Sequence, residues 1–262
     1  MINVEKKDGV KYLSIFNPAR KNAITVSDVK ILSREIEKSW EEKDVDVIVI
    51  TGHGDSFCSG LDLAGSQEDI SRNDIIDLFE WHVEEFTSVI RNSIECPKFI
   101  IGRINGPAAG FGCEMLYWFD YKIADAKAYF YEVFPKRGLI PDGGGIPFLG
   151  KTAGITRALS ILAYAEKISA QKALELGIIN EIAQDEKELD LKINNTIEKT
   201  KKLPQGATSK IKKLIWSDVF YNLEYHIRYL RVLQAHQVMS EEFFEGINSF
   251  FQKKEPEFKK TF

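Results

Sequence analysis

Apolar positions along the chain follow two rhythms, one of two residues and one of about 3.6. Residues 12–16 alternate and are rich in strand formers, and Asn17-Pro18 breaks the run, which predicts a strand and a turn. Thr25-x-x-Asp28 resembles a capping box, and Val29, Leu32, Ile36 and Trp40 follow at helical spacing, so a helix is expected over 26–42. Residues 45–51 form a continuous, largely β-branched run, the pattern of a strand buried on both faces. A Gly/Ser loop is expected over 52–65, then a helix over 70–94 with Ile75, Leu78, His82 and Phe86 on one side. Residues 97–104 read as a strand ended by Asn105-Gly106-Pro107, and 108–119 as a buried helix opening at Gly110. Strands over 121–126 and 128–134, a loop over 135–145, helices over 153–165 and 169–176 and a short strand over 178–182 complete the pattern.

Strand, helix and strand in alternation indicate α/β architecture with a mostly parallel sheet. From about 186 onward the pattern is helical only, with a break at Leu203-Pro204-Gln205-Gly206. The last helix carries Phe243, Phe244, Ile247, Phe250 and Phe251, which need either the chain's own core or another subunit to cover them. The 262 residues are 44% hydrophobic and 28% charged, which excludes a disordered chain. A net charge of −4 gives no global field for nucleic acid or an anionic membrane, but does not exclude a phosphorylated small ligand. The longest apolar runs are too short to span a bilayer, and residues 1–7 lack the apolar core of a signal peptide. Three cysteines without a C-x-x-C point to a reducing cytoplasm and away from a zinc knuckle.

Two phosphate motifs are present in form only. Gly145-Ile-Pro-Phe-Leu-Gly150-Lys151-Thr152 fits the P-loop pattern of an NTPase. No strand feeds it, its loop positions are bulky, and Pro147 has no N–H to donate to a phosphate. Gly52-x-Gly54 after the apolar strand lacks the third glycine of the dinucleotide fingerprint.

A different pair of stretches carries the candidate chemistry: Ser56-Phe57-Cys58-Ser59-Gly60-Leu61-Asp62-Leu63, after a buried strand, and Asn105-Gly106-Pro107-Ala108-Ala109-Gly110-Phe111-Gly112-Cys113-Glu114, at a helix start. Backbone N–H groups in two such turns, if they converge, make an oxyanion hole. With Asn17-Pro18-Ala19-Arg20-Lys21-Asn22-Ala23-Ile24, Gly138-Leu139-Ile140-Pro141-Asp142-Gly143-Gly144, the 169–180 segment and the tail around Glu245-Gly246-Ile247, these stretches make the chain resemble the crotonase family of enoyl-CoA hydratases and isomerases over nearly its whole length.

The resemblance implies a spiral of ββα units over about 1–200 and a helical region over 201–262 that mediates homotrimers, often paired into hexamers. It implies an acyl-CoA substrate, in which coenzyme A is part of the substrate and not a separate cofactor, and no metal. It places the oxyanion hole on the N–H groups of Ser59 and Phe111, and coenzyme A on Arg20, Ala23, Leu61, Asp62 and Leu63, with Lys21 beside Arg20 as a second local cation. Family members usually carry glycine where Phe111 stands; a backbone donor tolerates the change, and the ring is expected to narrow the acyl channel.

Glu114 lies three residues past Phe111 and matches one of the two glutamates of the family's hydratases. The second falls at Phe134, whose ring cannot activate water. Asp142 matches the carboxylate of a subset of family isomerases, although Pro-Asp-Gly is also good turn chemistry. Glu132 shares a strand face with Phe134 by two-residue alternation and could reach inward, but a glutamate is expected at the surface. Isomerisation needs no captured water, so double-bond isomerisation with Asp142 or Glu114 as proton carrier is the expected reaction. Hydration using Glu114, and a weakly catalytic member that only binds CoA esters, are the alternatives within the resemblance. Cys113 is expected to be a small buried residue, and His53, His82, His226 and His236 have no metal-ligand spacing.

Overall fold

The computed structural model describes residues 1–62 and 72–259, with side chains for all of these except 72–81, 219–222 and 224. A six-stranded sheet runs through the core in the order β1-β2-β3-β4-β6-β9. The strands are β1 (Ile2–Lys7), β2 (Val10–Ile15), β3 (Val47–Gly52), β4 (Phe99–Ile104), β6 (Tyr121–Asp125) and β9 (Glu181–Ala183). β1 and β2 form an antiparallel hairpin, and every later pair is parallel. β3 sits between β2 and β4, with Val47, Ile48, Val49 and Ile50 fully buried, as its unbroken apolar run requires. The hairpin's first strand was not expected from the sequence: β1 is almost wholly exposed, so its composition is polar.

Between β2 and β3, α1 (Val26–Lys38) starts on the expected cap. Thr25 accepts from the Asp28 N–H at 3.1 Å while Asp28 accepts from the Thr25 N–H at 3.0 Å. α2 (Arg72–Glu95) leads into β4 and packs along α1. The expected single helix over 108–119 is in fact three pieces: a short strand β5 (Ala108–Ala109), one turn of α3 (Phe111–Glu114) and a 3-10 turn, Met115–Trp118. Glycine at 110, with φ +52°, makes the bend between β5 and α3.

A second sheet of three short strands joins β5, β7 (Tyr129–Tyr131) and β8 (Lys167–Ser169). β7 stops before Glu132, and Phe134 belongs to a 3-10 turn, Phe134–Arg137, where a strand was expected. α4 (Gly145–Ala153) occupies the P-loop-like segment, followed by α5 (Ile155–Ala163) and α6 (Ala170–Glu175). Pro147 is tolerated because it stands in the first turn of α4. Lys151 and Thr152 lie within the helix: Lys151 Nζ pairs with Asp218, and Thr152 Oγ1 donates to the Phe148 carbonyl at 2.9 Å. No loop wraps a phosphate there, so the nucleotide reading falls.

The C-terminal region is helical: α7 (Glu186–Lys201), α8 (Gln205–Gln237) and α9 (Glu241–Gln252). α8 is fastened to the sheet by a buried ion pair, Lys212 Nζ to Asp120 Oδ2 at 2.7 Å, with Lys98 O and Ile100 N completing the network. The α9 aromatics do not all await a partner. Phe243 is buried on Val238, with Leu139, Phe244 and Ile247 packed beside it. Phe250 and Phe251 of α9 stay partly exposed, and further exposed apolar residues lie on α8 (Ile211, Leu214, Ile215, Tyr225, Tyr229, Val232) and α5 (Ile155, Leu159). No helix among the described residues is long and apolar enough to cross a membrane.

Candidate active site

Three loops meet at one end of β2, β3 and β4, held by two buried asparagines. Asn22 Nδ2 donates to the His53 and Ser56 carbonyls at 2.8 and 2.7 Å, and Asn105 Nδ2 donates to those of Gly54 and Ser56 at 2.7 and 3.0 Å. Asn105 Oδ1 also accepts from the Gly52 N–H at 3.1 Å. The chain passes so closely here that a Cβ on Gly112 would stand 2.3 Å from the Cys58 carbonyl oxygen. The Ala109 N–H donates to that same oxygen at 2.9 Å. The 58–62 and 108–114 stretches, separate in sequence, are thereby locked side by side.

A cavity of about 230 Å³ opens where they meet. Ser59, Gly60 and Leu61 line it from one stretch and Ala109, Gly110 and Phe111 from the other. The Phe111 N–H heads α3 and has no acceptor among the described residues. The Ser59 N–H is different: it donates to the Lys21 carbonyl at 3.0 Å, where Lys21 turns through φ +51°. The expected pair of open donors is therefore one open and one engaged. A ligand oxygen must share or displace the Lys21 carbonyl to reach Ser59.

The same turn gathers most of the other expected contacts. Ser59 Oγ donates to the Arg20 carbonyl at 2.8 Å, Ile24 bridges Leu61, and the Arg20 guanidinium pairs with Asp62. Ala23 is buried beneath it. Arg20 is about half exposed, Lys21 beside it is exposed and Leu61 faces the cavity, so this rim sets two cations beside an apolar lining. Leu63 lies outside the described residues.

The cavity wall is aromatic. Phe86 and Phe111 stack at 4.1 Å between ring centroids, and His82 stacks on Phe86 at 6.1 Å. Burial pushes the His82 imidazole down to about 4, so it is neutral at physiological pH. Phe134 and Phe250 complete the wall, with the Arg137 guanidinium 4.5 Å from the centre of the Phe250 ring.

Three carboxyl groups are buried near one another. Asp142 lines the cavity; its Oδ2 accepts from Gln234 Nε2 at 3.2 Å and its Oδ1 has no hydrogen-bond partner among the described residues. Burial pushes it up to about 7, against the hydrogen bond from Gln234. Glu114 is fully buried and does not line the cavity. Its two oxygens accept from the N–H groups of Gly143 and Gly145, the latter at 2.7 Å. Burial, then Glu132, then Asp142 hold it well above the usual carboxylate range.

Glu132 corrects an expectation, since it is buried and not at the surface. Its Oε1 accepts from the Tyr117 hydroxyl at 3.0 Å, its Oε2 has no partner among the described residues, and burial pushes it up to about 7. The surface expectation came from the usual exposure of glutamate, whereas alternation with Phe134 left the inward direction open. Cys113 is buried with its thiol pushed well up by desolvation, which removes a thiolate mechanism.

These features make an apolar cavity with a backbone donor and a buried carboxyl on its wall. The sequence pattern of the enoyl-CoA hydratase/isomerase family matches residues 5–261, and the chain belongs to that family of enzymes. A probable enoyl-CoA hydratase of Rhodobacter capsulatus is 28% identical over 258 residues, 98% of this chain and 97% of that one. The trans-2-decenoyl-[acyl-carrier-protein] isomerase of Streptococcus mutans is 26% identical over 252 residues, 96% of this chain and 95% of that one. The crystal structure of an enoyl-CoA hydratase from Mycobacterium avium subsp. paratuberculosis superposes with a TM-score of 0.88 at 25% identity, covering 99% of this chain and 98% of the other. The fold is thus the crotonase fold, and relatives of both reaction types share it.

Proposed function

We propose that the protein isomerises the double bond of an enoyl-CoA ester, with Asp142 carrying the proton. The observation that bears most weight is the division of labour among the carboxyls. Asp142 lines the cavity with one oxygen unpartnered, whereas both oxygens of Glu114 are taken by backbone N–H groups. Phe134 stands on the wall where a second hydratase glutamate would hold water. In this reading the thioester oxygen sits at the Phe111 N–H, with Ser59 as second donor once its bond to Lys21 is shared. The Asp142 carboxylate removes a proton from the acyl chain, and the electron pair moves into the thioester carbonyl as a dienolate. The N–H groups stabilise the new charge. The same proton returns to a different carbon, so nothing is gained or lost and the double bond has moved.

Coenzyme A is assigned to the Arg20, Ala23, Leu61, Asp62 and Leu63 rim. The 1–200 segment is assigned to catalysis and the 201–262 segment to assembly as a trimer or hexamer. The exposed apolar residues of α8 and α5 support that assembly. The trans-2-decenoyl isomerase among the relatives supports the reaction, and the 1,2-epoxyphenylacetyl-CoA isomerase of Escherichia coli, 29% identical over 257 residues, supports an isomerase acting on a CoA ester.

The test is a panel of 2-enoyl-, 3-enoyl- and dienoyl-CoA esters of several lengths, with products read by mass and double-bond position. Products of unchanged mass and shifted double bond are expected. Gain of one water would establish hydration in its place, and tight binding without turnover would establish a CoA-ester-binding member.

A further inference from the structure

The side chain of Gln234 is 1% exposed, and it spends its amide on the loop that carries Asp142. Its Oε1 accepts from the Ile140 N–H at 3.1 Å, and its Nε2 donates to the Ile140 carbonyl at 3.1 Å and to Asp142 Oδ2 at 3.2 Å. Ninety-two residues separate Gln234 from Asp142, and it comes from α8 in the C-terminal region. No other side chain among the described residues hydrogen-bonds Asp142.

We propose that Gln234 is a positioning residue: its amide fixes the turn at 140–142 and favours the carboxylate form of Asp142, bonding one oxygen and leaving the other for the substrate proton. The inference rests on Asp142 being the base. A glutamine suits the task because one amide offers an acceptor and two donors in one plane. That set satisfies both backbone groups of Ile140 and still leaves a donor for Oδ2. A donor to the charged form favours ionisation, so losing it raises the carboxyl's affinity for a proton.

Burial opposes ionisation of Asp142. Glu114 of α3 and Glu132 after β7 are acidic neighbours, and His82 of α2 is neutral. Arg137 of the 3-10 turn lines the same cavity, and His226 of α8 lines a smaller pocket on the other side of Asp142. Among these described groups Gln234 is the one that touches the carboxylate.

The experiment is the pH profile of kcat and kcat/KM for Q234M and Q234E beside wild type and D142N, with thermal unfolding as a fold control. Q234E retains an acceptor for the Ile140 N–H at nearly the same shape. In both Gln234 variants the acid-side midpoint is expected to rise by about one pH unit, a tenfold loss at low pH that largely recovers at high pH. A uniform loss with an unmoved midpoint would show a structural role only and overturn the inference. A D142N variant with wild-type turnover would overturn the base assignment itself. In the wild-type protein the Gln234 side-chain amide resonance is expected to titrate with the midpoint of the rate. An amide signal that ignores pH across that midpoint sinks the inference without recourse to any variant.

Discussion

Replacing Asp142 by asparagine is expected to lower kcat by roughly 10²–10⁴-fold, the range over which a positioned general base contributes, with KM little changed. The asparagine keeps the size of the side chain, and its carbonyl oxygen can still accept from Gln234 Nε2, so the loop stays in place. With Asp142 as the proposed base, what is lost is the site to which the substrate proton moves. Because the carboxyl is pushed up to about 7, the wild-type rate is expected to rise with pH through that value. The sign follows from which form acts: the base must be ionised, and below about 7 most of it carries a proton. D142N is expected to lose that limb entirely. Stopped assays from pH 5 to 9 check both statements, and a D142N enzyme with a wild-type profile would return the proton transfer to Glu114.

Replacing Glu114 by alanine is expected to cost stability as well as activity. The carboxyl is the acceptor for two buried N–H groups, those of Gly143 and Gly145 at the start of α4. Leaving each unsatisfied costs about 1–3 kcal/mol, so E114A should be destabilised by roughly 2–6 kcal/mol. E114Q keeps one good acceptor and should fall between E114A and wild type. The approach is close: a Cβ on Gly143 or Gly145 would lie 2.5 Å from a Glu114 oxygen. Denaturant unfolding checks the order. An E114A protein as stable as wild type would show that these two bonds do not hold the loop.

How much of this was legible in sequence depended on where each residue found its partner. The capping box at Thr25 and Asp28 and the apolar run of β3 were readable because their causes lie within a few residues. The candidate site was readable as a set of motifs, and Phe111, Ser59, Phe134 and Asp142 do line one cavity. The engaged state of the Ser59 N–H was not readable, since its acceptor is a carbonyl in another loop. Glu132 was misplaced for the same reason: its burial is compensated by Tyr117, which no spacing rule pairs with it. Gln234 carried no signal at all, being one polar residue in a long helix whose pattern elsewhere is mixed. α4 was hidden by its opening Gly-Ile-Pro, which reads as loop until the first-turn position of the proline is known.

The three interior carboxyls also set a conflict between durability and catalysis. Asp142 and Glu132 hold protons in the folded state up to about 7, whereas an unfolded chain releases them near the ordinary carboxylate values, about 4. Between those limits the folded form binds more protons, so its stability falls as pH rises. The protein is therefore expected to melt at its highest temperature in mild acid, where the base is idle, and to soften toward neutrality, where it works. A melting temperature that climbs from pH 5 to 7.5 would show that other groups outweigh this cluster. Unlike the usual acid-sensitive fold, this one would be best stored under conditions in which it is switched off.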